Sequence, residues 1–482
     1  MSDKPIIVWF RQDLRLTDHP ALARAIETGR PVVPVYILDD TGPGQWALGA
    51  ASRWWLHHSL LELAADIERR GARLVLRTGA ARAVIPALCA EVGAEAVHVS
   101  RMYEPWAAAL ERDLKADLEP AGVALRRFPG SLLREPEEIA TQSGGPYKVY
   151  TPFWRALRDL GVPRPPVAAS AHIASPARAV GSDDLAAWGL LPTRPDWAGG
   201  LRDAWVPGEA GARKRLTTFI ASALKGYKED RNRPDLPATS RLSPHLHFGE
   251  LSPSTIWHAV ASAAGGSGKL DADSEHFLKE LVWREFSAHL LFHFPDLPDS
   301  PFRPEFAAFP WREDASGLAA WQKGRTGYPI VDAGMRELWH TGYMHNRVRM
   351  IVGSFLVKDL LVPWQQGEAW FWDTLVDADL ANNAASWQWI AGSGADAAPY
   401  FRVFNPVLQG QKFDPEGTYV RRWVPELGKL PAGDIHAPWQ AAAATLQAAG
   451  VVLGQTYPHP ILDHAMARDR ALSHYEAVKV KA

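Results

Sequence analysis

The chain of 482 residues is too long for one hydrophobic core, and the usual domain length of about 100 to 200 residues predicts two or three domains. Its hydrophobic content of 47% and charged content of 22% are ordinary for a globular protein and exclude a fibrous or disordered one. A formal net charge of -2 gives no overall attraction for nucleic acid, so any DNA binding requires a local basic surface. Tryptophan is the outlier, with 21 residues.

Cysteine usage and the N-terminus indicate the compartment. A single cysteine, Cys89, excludes an internal disulfide framework and a cysteine-based zinc or iron-sulfur site, and we expect no metal. The first residues, MSDKPIIVWF, lack a basic region followed by a long apolar run, and no apolar segment approaches the roughly 18 residues of a membrane span. We therefore expect a cytoplasmic protein in a reducing compartment, without membrane contact.

Short apolar runs alternate with amphipathic stretches over the first 130 residues. The runs predicted as buried strands are PIIVWF, PVVPVYIL, ARLVLRT, EAVHVS and VALRRF. Strands that alternate with helices indicate a doubly wound parallel sheet, so we predict an α/β domain over residues 1–130. The turn after the first strand, RQDLRLTDHPAL, contains no glycine and therefore lacks the glycine-rich dinucleotide fingerprint.

The rest of the chain is predicted to be helical after a connector. Residues 131–200 are rich in proline, alanine, glycine and serine, with weak periodicity, which predicts an interdomain connector. Residues 201–482 show helical patterns, so we predict a large all-α domain. The segments LSPHL and LSPST each place a serine before a proline, which predicts Ser243 and Ser252 as helix N-caps.

Basic residues cluster near the start of the predicted helical domain. They are either a local surface for DNA or a solvated helix face, and the charges alone favour neither reading: Arg213, Lys214, Arg215, Lys225, Lys228, Arg231, Arg233 and Arg241. Within ATSRLSPHL, hydroxyl groups at a helix start suit a phosphate, although ordinary capping explains Ser243 more often than a ligand does. Arg349 and Asp377 form a plausible buried pair, and a purely structural ion pair is the alternative.

A polar and aromatic stripe follows in the segment DADLANNAASWQW. If this segment is helical, Asp379, Asn383 and Trp387 fall at i, i+4 and i+8 on one face, and Trp389 points elsewhere. The stripe is too polar for a dry core and too aromatic for a plain surface. It suits a planar, redox-active cofactor that forms hydrogen bonds, and a surface helix with one tucked tryptophan is the alternative.

Several long motifs, in the same order, resemble the DNA photolyase and cryptochrome family over nearly the whole chain. They are WFRQDLRLTDHPAL, TSRLSPHLHFGELSP, FLKELVWREF, GYPIVDAGMRELWHTGYMHNRVRM, LANNAASWQW and FNPVLQGQKFDPEGTYVRRWVPEL. The WQW triplet and the methionine after HNRVR look most like a class III photolyase that acts on cyclobutane pyrimidine dimers (CPDs). The resemblance implies an α/β domain with a doubly wound parallel sheet, then a large all-α FAD-binding domain, and light-dependent repair of CPDs by electron transfer from photoexcited reduced FAD.

The resemblance also implies which residues hold the FAD in a bent conformation. Those implied at the phosphates are Tyr227, Thr239, Ser240, Leu242 and Ser243, and those implied at the isoalloxazine are Asn346, Arg349, Asp377, Asp379 and Asn383. This chain departs from the family pattern in having NNAASW, where the first asparagine lies five residues before the tryptophan. Counting back four residues from the tryptophan selects Asn383 over Asn382 for the position facing flavin N5.

Two further sets of residues follow from the resemblance. An electron relay would run through Trp387, Trp364 and Trp311, and the pocket for the lesion would contain Glu280, Trp283, Met350 and Trp389. The partner would be damaged DNA, with the lesion flipped out of a duplex or presented in a single strand, because a base within the stack cannot reach a buried site. Phe277 stands where many relatives have tryptophan, and this departure bears on the shape of the cavity.

Other functions remain open from the sequence. One is a cryptochrome-like photoreceptor without repair activity, although plant members carry aspartate where this chain has Asn383. Another is a photolyase for (6-4) products, which is expected to use two histidines where the motif here offers only His345. A flavin oxidoreductase is remote because no nicotinamide fingerprint appears. The segment Met102–Leu110 partly resembles a folate-binding one, so methenyltetrahydrofolate is favoured over a deazaflavin as antenna, and a monomer is expected.

Overall fold

The computed structural model describes residues 4–265, 270–397 and 401–479. The N-terminal part contains five strands in one sheet: β1 (Ile6–Phe10), β2 (Val32–Leu38), β3 (Val75–Thr78), β4 (Ala96–Ser100) and β5 (Ala124–Phe128). Their order is β3-β2-β1-β4-β5 and all pairings are parallel. Each strand coincides with one of the predicted apolar runs, so the predicted doubly wound parallel sheet is confirmed.

Helices cover both faces of this sheet. They are α1 (Pro20–Glu27), α2 (Ala50–Glu68), α3 (Ala81–Val92) and α4 (Pro105–Leu118). Successive residues of β1 point to opposite faces, so Val8 packs with Trp55 of α2 in one core. Ile7 packs in the other core with Ile85 of α3 and Leu114 of α4. Because both faces of the sheet are buried, the strands appear in the sequence as continuous apolar runs.

After the sheet the described chain is rich in helices, and those from residue 199 onward make up the predicted helical domain. The helices are α5 (Tyr150–Asp159), α6 (Gly199–Ala204), α7 (Glu209–Ser222), α8 (Tyr227–Asp230), α9 (Ser243–His247), α10 (Pro253–Ala263), α11 (Ala272–His293), α12 (Ala315–Gln322), α13 (Pro329–Thr341), α14 (Asn346–Ser354), α15 (Trp364–Thr374), α16 (Leu380–Ala391), α17 (Pro406–Phe413), α18 (Thr418–Trp423), α19 (Ala443–Ala449) and α20 (His464–Lys479). A π-helical turn, Phe355–Asp359, follows α14. In the described residues, no helix is long and apolar enough to cross a membrane.

The predicted connector contributes to the helical core. Its helix α5 buries Phe153, Trp154 and Leu157 in the same cluster as the residues of α11 and α16. Helix α11, with 22 residues, begins after Asp271, whose side chain accepts a hydrogen bond from the Ser274 backbone N–H at 2.8 Å. The connector is therefore part of the wall of the helical domain over this stretch.

The two predicted helix caps have different outcomes. Ser252 is the N-cap of α10, and its hydroxyl accepts a hydrogen bond from the Thr255 backbone N–H at 3.0 Å, so this prediction is confirmed. The prediction for Ser243 is wrong, because Leu242 occupies the cap position and Ser243 is the first helical residue. The Ser243 hydroxyl instead donates to a carboxylate elsewhere in the chain, Asp377.

The sheet domain and the helices are joined by buried indole hydrogen bonds. Trp55 of α2 donates from Nε1 to Glu250 Oε1 at 2.9 Å, and Trp372 of α15 donates from Nε1 to the Ala47 carbonyl oxygen at 2.7 Å. The same Glu250 oxygen accepts a hydrogen bond from the Gly208 backbone N–H at 2.8 Å. These contacts place α15 beside the sheet domain. Helix α16 packs on α15, and most of its side chains are buried.

Candidate active site

Asp379 begins the predicted polar stripe as the N-cap of α16. Its Oδ1 accepts hydrogen bonds from the Asn382 backbone N–H at 2.9 Å and from Asn382 Nδ2 at 2.7 Å. His247 Nδ1 lies 3.8 Å from Oδ2. Burial alone would raise the pKa of Asp379, but the contact with His247 and the charge of Arg284 outweigh burial and lower it to about 2. Asp379 is therefore ionised at neutral pH.

Asn383 and Trp387 occupy the next two turns of the same face, as the helical reading predicted. Asn383 is 8% exposed, and its Nδ2 donates to the Glu368 carbonyl oxygen at 3.0 Å. Because the side chain of Asn382 is bonded to Asp379 instead, the geometry supports Asn383 over Asn382 as the amide of this stripe.

Glu368 is a buried acid that the sequence reading missed. Its side chain is 1% exposed, and burial together with the nearby charge of Asp299 raises its pKa to about 9. The carboxyl group is therefore neutral at pH 7, and its Oε1 has no hydrogen-bond partner among the described residues. The only signal in the sequence was a glutamate inside the aromatic helix segment WQQGEAWFW.

The glutamine of the WQW triplet, Gln388, is anchored by hydrogen bonds, and the tryptophans on either side of it point in different directions. Gln388 is fully buried, its Oε1 accepts a hydrogen bond from the Phe302 backbone N–H at 2.6 Å, and its Nε2 donates to the Leu297 carbonyl oxygen at 2.6 Å. Both bonds fix α16 to the segment after α11. With Gln388 anchored, Trp387 lies in the core at 3% exposure and Trp389 lies half-buried on another face.

Asp377 joins the two groups of predicted cofactor residues. The Ser243 hydroxyl donates to Asp377 Oδ2 at 2.6 Å, and Arg349 Nη2 donates to Asp377 Oδ1 at 3.0 Å and Oδ2 at 2.8 Å. The predicted pair of Arg349 and Asp377 is confirmed. Ser243, which was predicted at the phosphates, thus lies next to Arg349 and Asp377, which were predicted at the isoalloxazine.

The other predicted cofactor residues lie around this cluster. Tyr227 is 5% exposed and packs against Phe277, with ring centroids 5.3 Å apart. The phenylalanine that departs from the family pattern therefore fills space beside a predicted cofactor residue. Among the remaining predicted cofactor residues, Leu242 is buried, and Thr239 and Ser240 are half-buried. Asn346 is exposed in the first turn of α14.

The chemistry of this region fits FAD. Within the described residues, buried polar atoms without a partner include Arg241 Nε, His247 Nε2 and Glu368 Oε1. The Ser243 side chain is exposed, and Arg349 keeps 25% of its side-chain surface free. FAD carries phosphate oxygens, ring carbonyl groups and a ring N–H group, which match these donors and acceptors. Buried polar groups are normally satisfied, so these three atoms are available to a polar ligand.

The three predicted relay tryptophans differ in depth. Trp387 and Trp364 are buried at 3% and 2% exposure, whereas Trp311 is half-buried. Trp364 lies three residues before Gly367 on α15, and Gly367 packs directly against the Trp387 ring, where a Cβ atom would collide with it. Trp387 and Trp364 therefore lie on the same side of α15, and the half-buried Trp311 packs against both the main helical core and a smaller cluster.

Two aromatic neighbours of Trp387 were not predicted. Trp321 is fully buried with its ring centroid 6.3 Å from that of Trp387, and the Phe371 centroid is 5.0 Å away. Trp321 also donates from Nε1 to the Val352 carbonyl oxygen at 2.9 Å. Sequence spacing could not find either neighbour, because both lie on other helices.

The residues predicted for the lesion pocket are all half-buried: Glu280, Trp283, Met350 and Trp389. Glu280 forms an ion pair with Arg231, which was predicted only as part of the basic cluster. Arg231 Nη1 also lies 2.8 Å from His276 Nε2. Burial raises the pKa of Glu280 above its ordinary value, and the charge of Arg231 opposes the rise. Glu280 is thus held by a guanidinium at one carboxylate oxygen.

His345 and Met350 lie on α14 beside this ion pair. His345 is 4% exposed, and its Nδ1 accepts a hydrogen bond from the Arg347 backbone N–H at 3.2 Å. Burial and the charges of Arg231 and Arg347 lower the pKa of His345 to about 3, so the imidazole is neutral at pH 7. The Met350 sulfur lies 3.6 Å from Arg347 Nη1.

The predicted basic cluster does not form one free surface. Arg241 lies over the Trp205 ring at 4.4 Å, and Arg215 lies over the same ring at 5.7 Å. Three more members are in ion pairs, which join Arg213 to Glu209, Arg231 to Glu280 and Arg233 to Asp235. Lys214, Lys225 and Lys228 are exposed. Neither prediction, a DNA surface or a solvated helix face, describes the whole cluster, because several of its members contact aromatic rings or carboxylates of the protein.

Two family models match the chain. The model described as DNA photolyase matches residues 6–170, and the model described as FAD binding domain of DNA photolyase matches residues 277–477. The fold and the site define a flavin-binding protein, and the chain belongs to the DNA photolyase and cryptochrome family. The FAD implied by the sequence resemblance is supported by the second match.

Full-length relatives define the branch. A deoxyribodipyrimidine photo-lyase of Agrobacterium fabrum is 54% identical over 99% of both chains, and cryptochrome-1 of Arabidopsis thaliana is 40% identical over 96% of this chain and 69% of its own length. A crystal structure of a class III photolyase from Agrobacterium tumefaciens matches with a TM-score of 0.95 and 53% identity, covering 99% of this chain and 98% of the other. The chain is an enzyme of the deoxyribodipyrimidine photo-lyase type, and its substrate is DNA.

Proposed function

We propose that the enzyme repairs CPDs in DNA with the energy of blue light. The observation that carries this proposal is that the four residues implied for the lesion are all half-buried: the indoles Trp283 and Trp389, the thioether Met350 and the carboxylic acid Glu280. A flipped pyrimidine dimer has two apolar faces and a hydrogen-bonding edge, and these walls and this carboxylate suit both. The class III photolyase with a similar structure supports the proposal.

The bound FAD would supply the electron that splits the cyclobutane ring, and this chain's residues would supply position and electrostatics. The Ser243 hydroxyl, which donates to Asp377 in the structure, would turn to a phosphate oxygen, while Arg349 and Asp377 would bind the isoalloxazine. Asn383 would face N5 with an amide that cannot deliver a proton. Trp387, Trp364 and Trp311 would carry electrons from the periphery into the core.

Repair of a (6-4) product is disfavoured by the state of His345. That reaction needs an acid that moves a hydroxyl group between the bases, which requires a protonated side chain. The pKa of His345 is lowered to about 3, so at neutral pH this histidine has no proton to give. Its Nδ1 is also committed to the Arg347 backbone N–H, at 3.2 Å. Splitting a CPD by electron transfer does not need such an acid.

The function is tested by one repair experiment. Purified protein containing fully reduced FAD is mixed with an oligonucleotide that carries one thymine CPD, and restoration of the two thymines is followed with and without blue light. We expect repair only under light. A protein that binds FAD and leaves the CPD intact under light would instead be a photoreceptor, as in the cryptochrome relatives.

Exchanging the amide at N5 for an acid tests the role of Asn383. In Asn383→Asp, a carboxylic acid would be able to deliver a proton to the flavin, so the absorption spectrum recorded during photoreduction should differ from that of the unmodified protein. Asn382→Ala is the matched control, because Asn382 contacts Asp379 at 2.7 Å instead. Identical spectra for Asn383→Asp and the unmodified protein would remove Asn383 from N5.

We also propose that a folate antenna, methenyltetrahydrofolate, binds at the edge of the sheet domain. A cleft of about 300 Å³ there is lined by Trp46, Trp106 and several prolines. It borders the segment Met102–Leu110 that partly resembles a folate-binding one. Two indoles suit a flat pteridine ring.

The antenna site predicts a separate spectral effect. Trp106→Ala should lose near-ultraviolet absorption that is not due to FAD, because a stacking surface is removed, while FAD content stays unchanged. Trp339→Ala is the control, since Trp339 is 61% exposed and lies outside the cleft. Absorption spectra before and after denaturation measure both chromophores. Full retention of the near-ultraviolet band in Trp106→Ala would place the antenna elsewhere.

We further propose that the enzyme acts as a cytoplasmic monomer on lesions flipped from a duplex or exposed in a single strand. A reducing compartment suits Cys89, a buried thiol whose pKa is raised to about 11 by burial. Such a thiol is unreactive, because the thiolate is the reactive form.

A further inference from the structure

The wall residue Trp283 is backed by a residue of the connector, Tyr150, the first residue of α5. Tyr150 is 7% exposed and stacks face to face on Trp283, with ring centroids 3.6 Å apart and ring planes 7° from parallel. Its hydroxyl donates to the Lys279 carbonyl oxygen at 2.5 Å. Lys279 lies one helical turn before Trp283 on α11. The Tyr150 ring and hydroxyl therefore fix the turn of α11 that carries this wall.

Asp396 lies between the backbone of Tyr150 and the second wall residue, Trp389. Trp389 Nε1 donates to the Asp396 carbonyl oxygen at 3.2 Å. The Tyr150 backbone N–H is near enough to the Asp396 carboxylate to oppose the rise in the pKa of Asp396 that burial causes. The N-cap of α5, Val149, offers no side-chain cap. Because first-turn N–H groups have no partner within a helix, Asp396 supplies a carboxylate to α5 from another part of the chain.

The backbone at Asp396 favours this double contact. Its φ of 57° lies in the left-handed region, which aspartate tolerates better than most residues. The turn before it folds back on α16, where the N–H groups of Ser393 and Gly394 donate to the Gln388 carbonyl oxygen at 3.1 and 2.9 Å. In this conformation the Asp396 carbonyl meets Trp389 and the Asp396 carboxylate meets α5.

We propose that Tyr150 and Asp396 form a brace that sets the separation of Trp283 and Trp389. The inference rests on the proposed function, in which these two indoles enclose the flipped lesion. Walls that are already fixed lose less side-chain entropy when a ligand enters, so a brace increases affinity for the lesion without touching it. Tyr150 and Asp396 are positioning residues, since they act through the indoles.

Binding measurements with two tyrosine variants test the brace. Tyr150→Leu removes the stacked ring, and Tyr150→Phe keeps the ring while removing the hydroxyl. The matched control is Tyr147→Leu, because Tyr147 packs edge-on against Phe153 with centroids 6.3 Å apart. We expect Tyr150→Leu to weaken binding of a CPD-containing oligonucleotide by about three- to tenfold, the range that one aromatic pair is worth. Tyr150→Phe should weaken it less.

The loss in Tyr150→Leu should be confined to recognition of the lesion. Affinity for undamaged DNA, photoreduction of FAD and the quantum yield of repair for bound lesion should match those of the unmodified protein. A drop in quantum yield at unchanged affinity would contradict the brace, because that pattern belongs to a residue acting on electron transfer. Equal affinity of Tyr150→Leu and Tyr147→Leu for the lesion would also contradict it.

Fluorine NMR tests the brace in the absence of DNA, through the resonances of the two wall tryptophans. In protein labelled with 5-fluorotryptophan, the resonances of Trp283 and Trp389 are assigned by their loss in Trp283→Phe and Trp389→Phe. Tyr150→Leu should shift both resonances, and Tyr147→Leu should shift neither. If Trp283 alone moves, or if neither moves in folded protein that contains FAD, the brace is overturned.

If Tyr150→Leu does not fold, the variant Asp396→Gly tests the proposal instead. Asp396→Gly preserves the left-handed turn and the stack on Trp283 but removes the carboxylate, so the Trp389 resonance should shift. An unmoved Trp389 resonance would overturn the brace. If both indoles respond as expected and the unmodified protein does not prefer CPD-containing DNA over undamaged DNA, the proposed function fails while the brace stands.

Discussion

Blue light should no longer reduce oxidised FAD in Trp387→Phe, although the variant should still repair CPDs once its FAD has been reduced chemically. Trp387 is 3% exposed and shares a face of α16 with Asn383, two turns after the N-cap Asp379, so in the proposed relay it is the tryptophan on the same helix as these flavin residues. Phenylalanine is much harder to oxidise than tryptophan, which breaks the relay at its inner end. We expect photoreduction to fall to background, as measured by absorption under continuous illumination with an external electron donor.

The variant should remain folded. Phenylalanine retains most of the packing of Trp387 against Phe371 and Gly367, so the cost to stability stays below the about 3–5 kcal/mol of a large aromatic-to-alanine change in a core. FAD content and thermal unfolding check this before photoreduction is compared.

Trp321→Phe is the matched control for the relay. Trp321 is as buried as Trp387 and lies 6.3 Å from it between ring centroids, but it is not one of the proposed relay residues. We expect Trp321→Phe to photoreduce at close to the unmodified rate and Trp364→Phe to be impaired. Loss of photoreduction in Trp321→Phe with normal rates in Trp364→Phe would redirect the relay through α12.

The sheet and the polar stripe could be predicted from the sequence because both depend on local periodicity. A strand buried on both faces appears as a continuous apolar run, as in the five predicted strands. A helix face repeats every three to four residues, which places Asp379, Asn383 and Trp387 together. The pair of Arg349 and Asp377 could be predicted as well, since a buried guanidinium requires a carboxylate.

The remaining site features depend on packing between distant segments. Nothing near Ser243 in the sequence indicates that its hydroxyl donates to Asp377, so local capping statistics gave the wrong role. Arg231 is one of many basic residues, and only the fold brings it to Glu280. Tyr150 lies in a segment that was predicted as a connector because of its composition, yet it stacks on Trp283. Long-range contacts of this kind leave no periodic signal.

The enzyme with fully reduced FAD should repair a CPD under blue light and leave a (6-4) product unrepaired. In the proposed pocket, Trp283, Trp389 and Met350 would hold the flipped bases by apolar contact, and Glu280 would offer a hydrogen bond at their edge. The acid needed for a (6-4) product is missing at His345, whose pKa is lowered to about 3 by burial and neighbouring guanidinium groups. Lowering the pH within the range where the protein is folded should therefore not reveal (6-4) repair.

Removal of the Glu280 carboxylate should weaken CPD repair without abolishing it. One hydrogen bond to a neutral group is worth about 0.5 to 1.5 kcal/mol, so Glu280→Gln, which keeps a hydrogen-bonding edge, should lose less than Glu280→Ala. Both variants also leave Arg231 without its ionised partner, and the double variant Glu280→Ala with Arg231→Ala separates that effect from the lost contact with the lesion. Repair is measured on matched oligonucleotides carrying one CPD or one (6-4) product, under single-turnover light flashes. Faster repair of the (6-4) product than of the CPD would show that the pocket assignment is wrong, because apolar walls and a neutral histidine cannot supply the proton transfer which that lesion requires.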